Sequence, residues 1–304
     1  MLGSREFLIC DVFARRPLEG NQLAVFPRAA GLEPEEMQSL AREMHFSETT
    51  FILGDVPSPR GFPVRVFTPA REVPFAGHPT LGTAYVIWDR FLARRAGLVT
   101  LDLAVGSVPV EVNAGGRFVM TQQPPHFGAE APAAAAARVL GLDPGDVDGR
   151  YPVQEVSTGL GFVIVPVRRL EAMKRIRLDR AEHDRLITGL DARAVLAFCP
   201  EVEHGDCTLH VRVFCPFYDV PEDPATGSAS GCLCAWLVRY RYLGDARVDI
   251  STEQGIEIGR PSQLFLEGRE SAGQIVVRVG GSVLEVGSGT MTVAERAGVN
   301  WRTT

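Results

Sequence analysis

Val64-Arg65-Val66-Phe67-Thr68-Pro69 returns in the second half of the chain as Val211-Arg212-Val213-Phe214-Cys215-Pro216. Each copy leads into a Val-Pro step, Val73-Pro74 and Val220-Pro221, and then into a turn. Laid over one another, Gly77-His78-Pro79-Thr80-Leu81-Gly82-Thr83-Ala84 and Glu222-Asp223-Pro224-Ala225-Thr226-Gly227-Ser228-Ala229 match at proline, glycine and the final alanine. In this alignment His78 stands opposite Asp223, and Thr83 opposite Ser228. An internal repeat of this kind describes one structural unit written twice.

The repeat extends outward. Upstream, a helical pattern (Met37, Leu40, Ala41, Met44) runs into a strand at 49–53, and a patterned stretch at 181–190 runs into a strand at 194–198. Downstream, each turn opens an apolar segment of helical length, Leu81 to Leu92 and Ala229 to Tyr240. Both are apolar on nearly every face, and a helix of that kind must be surrounded. Alternating or β-rich runs lie at 6–13, 22–26, 49–53, 63–67, 99–105, 108–112 and 118–122, and again at 153–157, 162–167, 194–198, 208–214, 247–251, 263–266 and 274–279. About seven strands per half is close to what a rolled sheet needs to wrap one helix. The expected fold is therefore α+β: two pseudo-symmetric half-domains, each a barrel-like sheet around a central apolar helix. Residues 124–132, rich in Pro, Gly and Ala, read as the linker, ahead of an Ala-rich helix at 133–140. A terminal strand at 288–293 is left over and can return to the first half, which gives a first half-domain of 1–123 plus about 286–304 and a second of 124–285.

Bulk properties narrow the function. The 304 residues are 45% hydrophobic and 22% charged, an ordinary globular composition. A net charge of −6 with no run of five Lys/Arg argues against a nucleic-acid surface. The N-terminus alternates like a strand and has no basic n-region before an apolar core, so no signal peptide is read. The apolar stretch around 232–238 is too short to span a membrane. Six cysteines without framework spacing suit a reducing, cytoplasmic setting.

The repeated turns are the candidate site. Each puts a glycine and a hydroxyl residue, Gly82-Thr83 and Gly227-Ser228, at the start of its buried helix. Unpaired N–H groups and the helix dipole attract anions there, and two such starts facing across a pseudo-dyad would hold a carboxylate. The bland alternative is that these residues merely cap helices. His78 and Asp223 each precede a proline, where a structural histidine or a turn-starting aspartate is common; their opposition in the repeat raises them above that background. Glu48, in Ser47-Glu48-Thr49-Thr50-Phe51, sits between an amphipathic helix and an apolar strand. Partial desolvation there would raise its pKa towards the range useful for proton transfer, although a surface glutamate at a helix–strand junction fits as well. Its repeat position is Arg193 or a neighbour, so the acid occurs once. Gly227-Ser228-Ala229-Ser230-Gly231 lacks a central serine and is no nucleophile elbow. Cys199, His204, Cys207 and His210 form a loose cluster without a matched second pair, so no metal site is assigned.

Asp11-Val12-Phe13, Gly20-Asn21-Gln22-Leu23-Ala24-Val25, Ser47-Glu48-Thr49-Thr50-Phe51, Phe75-Ala76-Gly77-His78-Pro79-Thr80 and Glu222-Asp223-Pro224-Ala225-Thr226-Gly227-Ser228-Ala229 closely resemble, in order, the motifs of the phenazine-biosynthesis isomerase (PhzF-like) family. The resemblance implies the diaminopimelate-epimerase-like fold, with the active site between the halves. It places a proton-shuttling glutamate on Glu48 and further site residues on His78, Asp223 and Ser228, with Gly77 in the same motif. It also implies catalysis without a cofactor, commonly in a homodimer, and isomerisation of trans-2,3-dihydro-3-hydroxyanthranilate as the characterised activity. Related two-base epimerases carry a cysteine at each helix start; none stands at 78–84 or 223–229 here. The expected function is allylic (1,3- or 1,5-type) proton transfer on a small carboxylate. The rivals are epimerisation or racemisation of an amino-acid-like substrate, and a non-catalytic carboxylate-binding protein.

Overall fold

In the computed structural model, which describes residues 2–294, one order of strand pairing is laid down twice. The first round comprises β1 (Leu2–Val12), β2 (Asn21–Phe26), α1 (Pro34–Met44), β3 (Thr49–Ile52), β4 (Phe62–Phe67), β5 (Glu72–Val73), α2 (Gly77–Arg90), β6 (Leu98–Leu103), β7 (Gly106–Val112) and β8 (Phe118–Thr121). The second comprises β9 (His126–Ala131), α3 (Ala133–Leu140), β10 (Val153–Ser157), β11 (Gly161–Pro166), α4 (Leu170–Arg175), α5 (Arg180–Ile187), β12 (Ala194–Cys199), β13 (Leu209–Cys215), β14 (Val220–Asp223), α6 (Gly227–Tyr240), β15 (Arg247–Gln254), β16 (Ser262–Ser271) and β17 (Gln274–Gly281), before β18 (Val283–Ala294). From β1 to β8 the pairings run antiparallel (β1–β2), parallel (β2–β3), antiparallel (β3–β4), parallel (β4–β6) and antiparallel (β6–β7–β8). From β10 to β17 the same series recurs.

Each sheet rolls around its central helix, as the apolar patterning predicts. Along α6, every residue from Ala229 to Val238 is buried, and Trp236 meets the rings of Phe198, Tyr240 and Tyr242 at 5.4, 5.0 and 5.7 Å. A fully buried aromatic of this size contributes roughly 1.5–3 kcal/mol through burial alone. Outer helices cover the sheets: α3 and α4 pack on β10–β13, while α1 lies over Phe26, Phe51 and Phe67.

Two expectations need correction. Residues 124–132 are not simply a linker, because β9 lies within them and pairs antiparallel with β10. That is the position which β18 takes on β1 in the other half. The terminal strand does return to the first half, from Val283 onward; the part of the expected half-domain at 295–304 lies outside the described residues. Strands β8 and β17 pair with one another, so the two rolls share a seam.

The second correction concerns the turns. Val66 pairs with Val73, and its repeat counterpart Val213 pairs with Asp223. The helices α2 and α6 then begin at Gly77 and Gly227, the same distance beyond Val73 and Asp223. Asp223 therefore corresponds to Val73, and His78 to Ser228; the proline-to-proline alignment is out of step. Pro79 sits in the first turn of α2, where a missing N–H costs nothing, whereas Pro224 precedes its helix. Gly82 and Thr83 consequently lie more than a turn inside α2 and not at its start.

Candidate active site

The two central helices meet end to end. A Cβ on Gly77 would lie 3.4 Å from the backbone nitrogen of Ser228 and 3.7 Å from the Cα of Gly227. Neither start is capped by a side chain: Ala76 has none to offer, and the Thr226 hydroxyl is turned elsewhere. The first-turn N–H groups of α2 and α6 thus share one region of positive potential between the halves. Gly77, Gly227 and Ser228 belong to it. Gly82 does not, since a Cβ there would come within 2.5 Å of Leu23 Cδ2 and 2.9 Å of Val12 Cγ2. Nor does Thr83, whose hydroxyl donates to Thr50 Oγ1 at 2.8 Å in the core of the first half.

The three titratable candidates come together at this junction. Glu48 precedes β3, and its Oε2 lies 3.6 Å from His78 Nε2. That oxygen is buried and has no hydrogen-bond partner among the described residues. Burial, joined by the negative charge of Asp223, pushes the Glu48 carboxyl up to about 8. His78 is 6% exposed, and its Nε2 donates to the Gln22 carbonyl at 3.2 Å. Burial drives its pKa down to about 3 against that hydrogen bond, so the imidazole is uncharged. Asp223 ends β14; burial raises it to about 6, while hydrogen bonds from Thr226 and Asn21 pull the other way. At neutral pH Asp223 is mainly a carboxylate and Glu48 is mainly protonated. A carboxyl whose pKa is close to the ambient pH both takes and gives a proton.

Asymmetry marks the site. Thr50 pairs with Val66 and Leu196 with Val213, so Glu48 corresponds to Ala194. The acid has no counterpart in the second half. The scaffold is duplicated while its chemistry is not.

Sequence reasoning passed over three neighbours. Asn21 Nδ2 reaches Asp223 Oδ1 at 3.0 Å and the Ala225 carbonyl at 2.9 Å. Thr226 Oγ1 donates to Asp223 Oδ2 at 2.5 Å. Gln254 Nε2 donates to the Asp223 carbonyl at 2.7 Å and to Thr226 Oγ1 at 3.1 Å. The available signal was a polar residue, Asn21, opening an otherwise mostly apolar strand. Of the loosely clustered Cys199, His204, Cys207 and His210, the two histidines both hydrogen-bond Glu253, at 2.9 and 2.8 Å.

Comparison with known proteins gives the family of the chain. A family model described as phenazine biosynthesis-like protein matches residues 10–289. An uncharacterized isomerase of Mesorhizobium japonicum is 33% identical over 300 residues, covering 95% of this chain and 99% of the relative. The trans-2,3-dihydro-3-hydroxyanthranilate isomerase of Pseudomonas fluorescens is 33% identical over 295 residues, covering 94% of this chain and 99% of that one. A crystal structure of a PhzF-family phenazine biosynthesis protein from Bacillus anthracis superposes with a TM-score of 0.88 at 27% identity, covering 96% of this chain and all of its own.

Proposed function

Since this chain belongs to the phenazine biosynthesis-like family, has the diaminopimelate-epimerase-like fold and is an isomerase, we propose that it moves a proton along a conjugated small carboxylate, with Glu48 as the shuttle. The observation that carries this reading is the buried, unpartnered Oε2 of Glu48 at the meeting point of two uncapped helix starts. The substrate carboxylate sits between those starts, on the amides of Gly77, Gly227 and Ser228. The ionised form of Glu48, in equilibrium with the protonated form because its pKa is about 8, takes an acidic C–H proton, and the freed electron pair shifts the double bond. The same carboxylic acid then returns the proton at the far end of the system, a 1,3- or 1,5-type shift with no change in oxidation state. Asp223 and neutral His78 hydrogen-bond the substrate's polar substituents and hold the charge balance. No cofactor is required by this chemistry. The substrate resembles that of the Pseudomonas fluorescens relative, trans-2,3-dihydro-3-hydroxyanthranilate.

The test is turnover of that compound and its analogues by wild type and Glu48→Gln. The variant should lose about 10²–10⁴-fold, the usual worth of positioned acid–base catalysis. Near-normal turnover by the variant would remove Glu48 from the mechanism. Epimerisation is the second reading, favoured by two carboxyls from opposite halves, both with raised pKa. In D2O, an allylic shift moves the C–H to the far end of the system, where any deuterium exchanged onto Glu48 appears, whereas epimerisation leaves the double bond in place and puts deuterium at the inverted carbon. A purely binding role does not fit an isomerase. A cytoplasmic homodimer completes the proposal; light scattering at the monomer mass of 33.0 kDa would exclude the dimer.

A further inference from the structure

Asp223 is the one acid of the site whose two oxygens are both held: Oδ1 by Asn21 and Oδ2 by Thr226. The Thr226 bond is local, from the residue before α6. The Asn21 bond crosses between the halves, from the start of β2 to the end of β14. Asn21 is 2% exposed and spends both amide hydrogens, one on the carboxylate and one on the Ala225 carbonyl. A flipped amide would set oxygen against two acceptors, so its orientation is determined. Its backbone is held too. Arg260 donates to the carbonyls of Leu18, Glu19 and Gly20 at 2.8, 2.7 and 2.9 Å, and Gly20 N donates to the Pro261 carbonyl at 2.9 Å.

The pseudo-symmetry shows that this arrangement is not a requirement of the fold. Ala24 pairs with Thr49, and Val163 with Val195, which are counterparts; Asn21 therefore corresponds to Leu160. The mirrored pair of Asn21 and Asp223 is Leu160 and Val73, both apolar. The mirrored positions of the same fold therefore carry no polar link of this kind.

We propose that Asn21 is a positioning residue of the proton-transfer site, holding the Asp223 carboxylate across the interface of the halves. The inference rests on the proton-transfer reading for its catalytic consequence only. The groups around Asp223 are Glu48 across the cleft, Cys215 from β13, and the neutral Asn21, Thr226 and Gln254; Glu222 beside it is engaged with Arg212. Of these, Asn21 is the donor contributed by the opposite half.

Asn21→Leu should lower kcat on the order of 10- to 100-fold with little change in KM, as loss of a supporting hydrogen bond does. It should also move the acid limb of the pH–rate profile upward, because a donor favouring the carboxylate is gone. Unchanged kcat and an unmoved limb would overturn the proposal. Should the variant not fold, the unaltered protein supplies the test. The Asn21 side-chain ¹⁵N resonance should titrate with the midpoint of the Asp223 carboxyl ¹³C resonance. An Asn21 signal that ignores that titration would overturn the proposal equally. These spectra need no substrate, so normal turnover by Glu48→Gln would remove the proposed reaction and leave the Asn21–Asp223 coupling standing.

Discussion

Gly77 and Gly82 lie on one helix and need the absence of a side chain for opposite reasons. At Gly82 a methyl would collide with Leu23 and Val12 in the core, and overpacking of this kind costs about 1–3 kcal/mol. At Gly77 a methyl meets the Ser228 amide at an acceptable 3.4 Å but intrudes on the space between the helix starts. Gly82→Ala should therefore lower the urea midpoint with kcat/KM largely kept, whereas Gly77→Ala should keep the midpoint and lose kcat/KM. The reverse pattern would restore Gly82 to the site. Glu48 has a stability signature as well. Its folded pKa, about 8, lies above the ordinary 4.5, so between those values the folded state holds a proton that the unfolded state has released. Stability then falls as pH rises from about 4.5 to 8, by an upper bound of about 3–5 kcal/mol. Glu48→Gln should flatten that fall in denaturant titrations across this range; an unaltered slope would show that Glu48 ionises freely. Glu48, His78 and Asp223 were readable in the sequence because each stands in a short, distinctive motif. The equivalence of His78 and Asp223 was misread because proline and glycine mark turns and helix starts alike, and only strand register distinguishes the two.

Strand β13 is buried on both faces, between α6 inside and α4 outside, yet it carries His210 and Arg212. The His210 ring nitrogens meet Glu253 at 2.8 Å and Glu257 at 2.9 Å, while Arg212 pairs with Glu222 at 2.7 Å and donates to the Met173 carbonyl of α4. Burial depresses His210, but its hydrogen bonds with the two glutamates outweigh this and raise it to about 9. A raised histidine contributes stability that is full below its ordinary 6.5 and is lost as pH climbs through about 9. The loss should be about 2–3 kcal/mol, and His210→Gln should abolish it while sparing the lower-pH fall due to Glu48. A variant that retains the full alkaline loss would exclude His210 as its source. The alternation of β13 was plain in the sequence, as were most strands and both central helices, because period-two and all-apolar patterns follow directly from burial. Strand β9 was not. Its Pro, Gly and Ala surroundings read as a linker, and its strand character comes from pairing with β10, a tertiary contact that local composition does not encode.

The duplicated topology predicts how the molecule comes apart. Strands β8 and β17 make one seam, and the residues around α2 and α6 form one continuous apolar core. A second tie is electrostatic: Arg260, from the second half, meets Asp11 of β1 at 2.7 Å, and Asp11 is 1% exposed. The other carboxylate oxygen of Asp11 accepts from Leu18 N at 2.6 Å, so the pair also ties down the loop leading to Asn21. Removing one partner of a buried pair leaves an uncompensated charge and costs about 3–5 kcal/mol, whereas replacing both costs far less. Arg260→Leu should therefore destabilise strongly, and adding Asp11→Leu should recover part of the loss, with a coupling measurable in a double-mutant cycle. Because seam and core are shared, the wild type should unfold in one step, with far-UV circular dichroism and tryptophan fluorescence tracing the same curve. Arg260→Leu weakens the tie without cutting the seam, so its single transition should move to lower denaturant and stay single. Two separated transitions in the wild type would mean that the halves are independent folding units. In that case the junction holding Glu48, His78 and Asp223 would owe its geometry to docking of finished domains, and Arg260→Leu would lower activity well before it lowered the stability of either half.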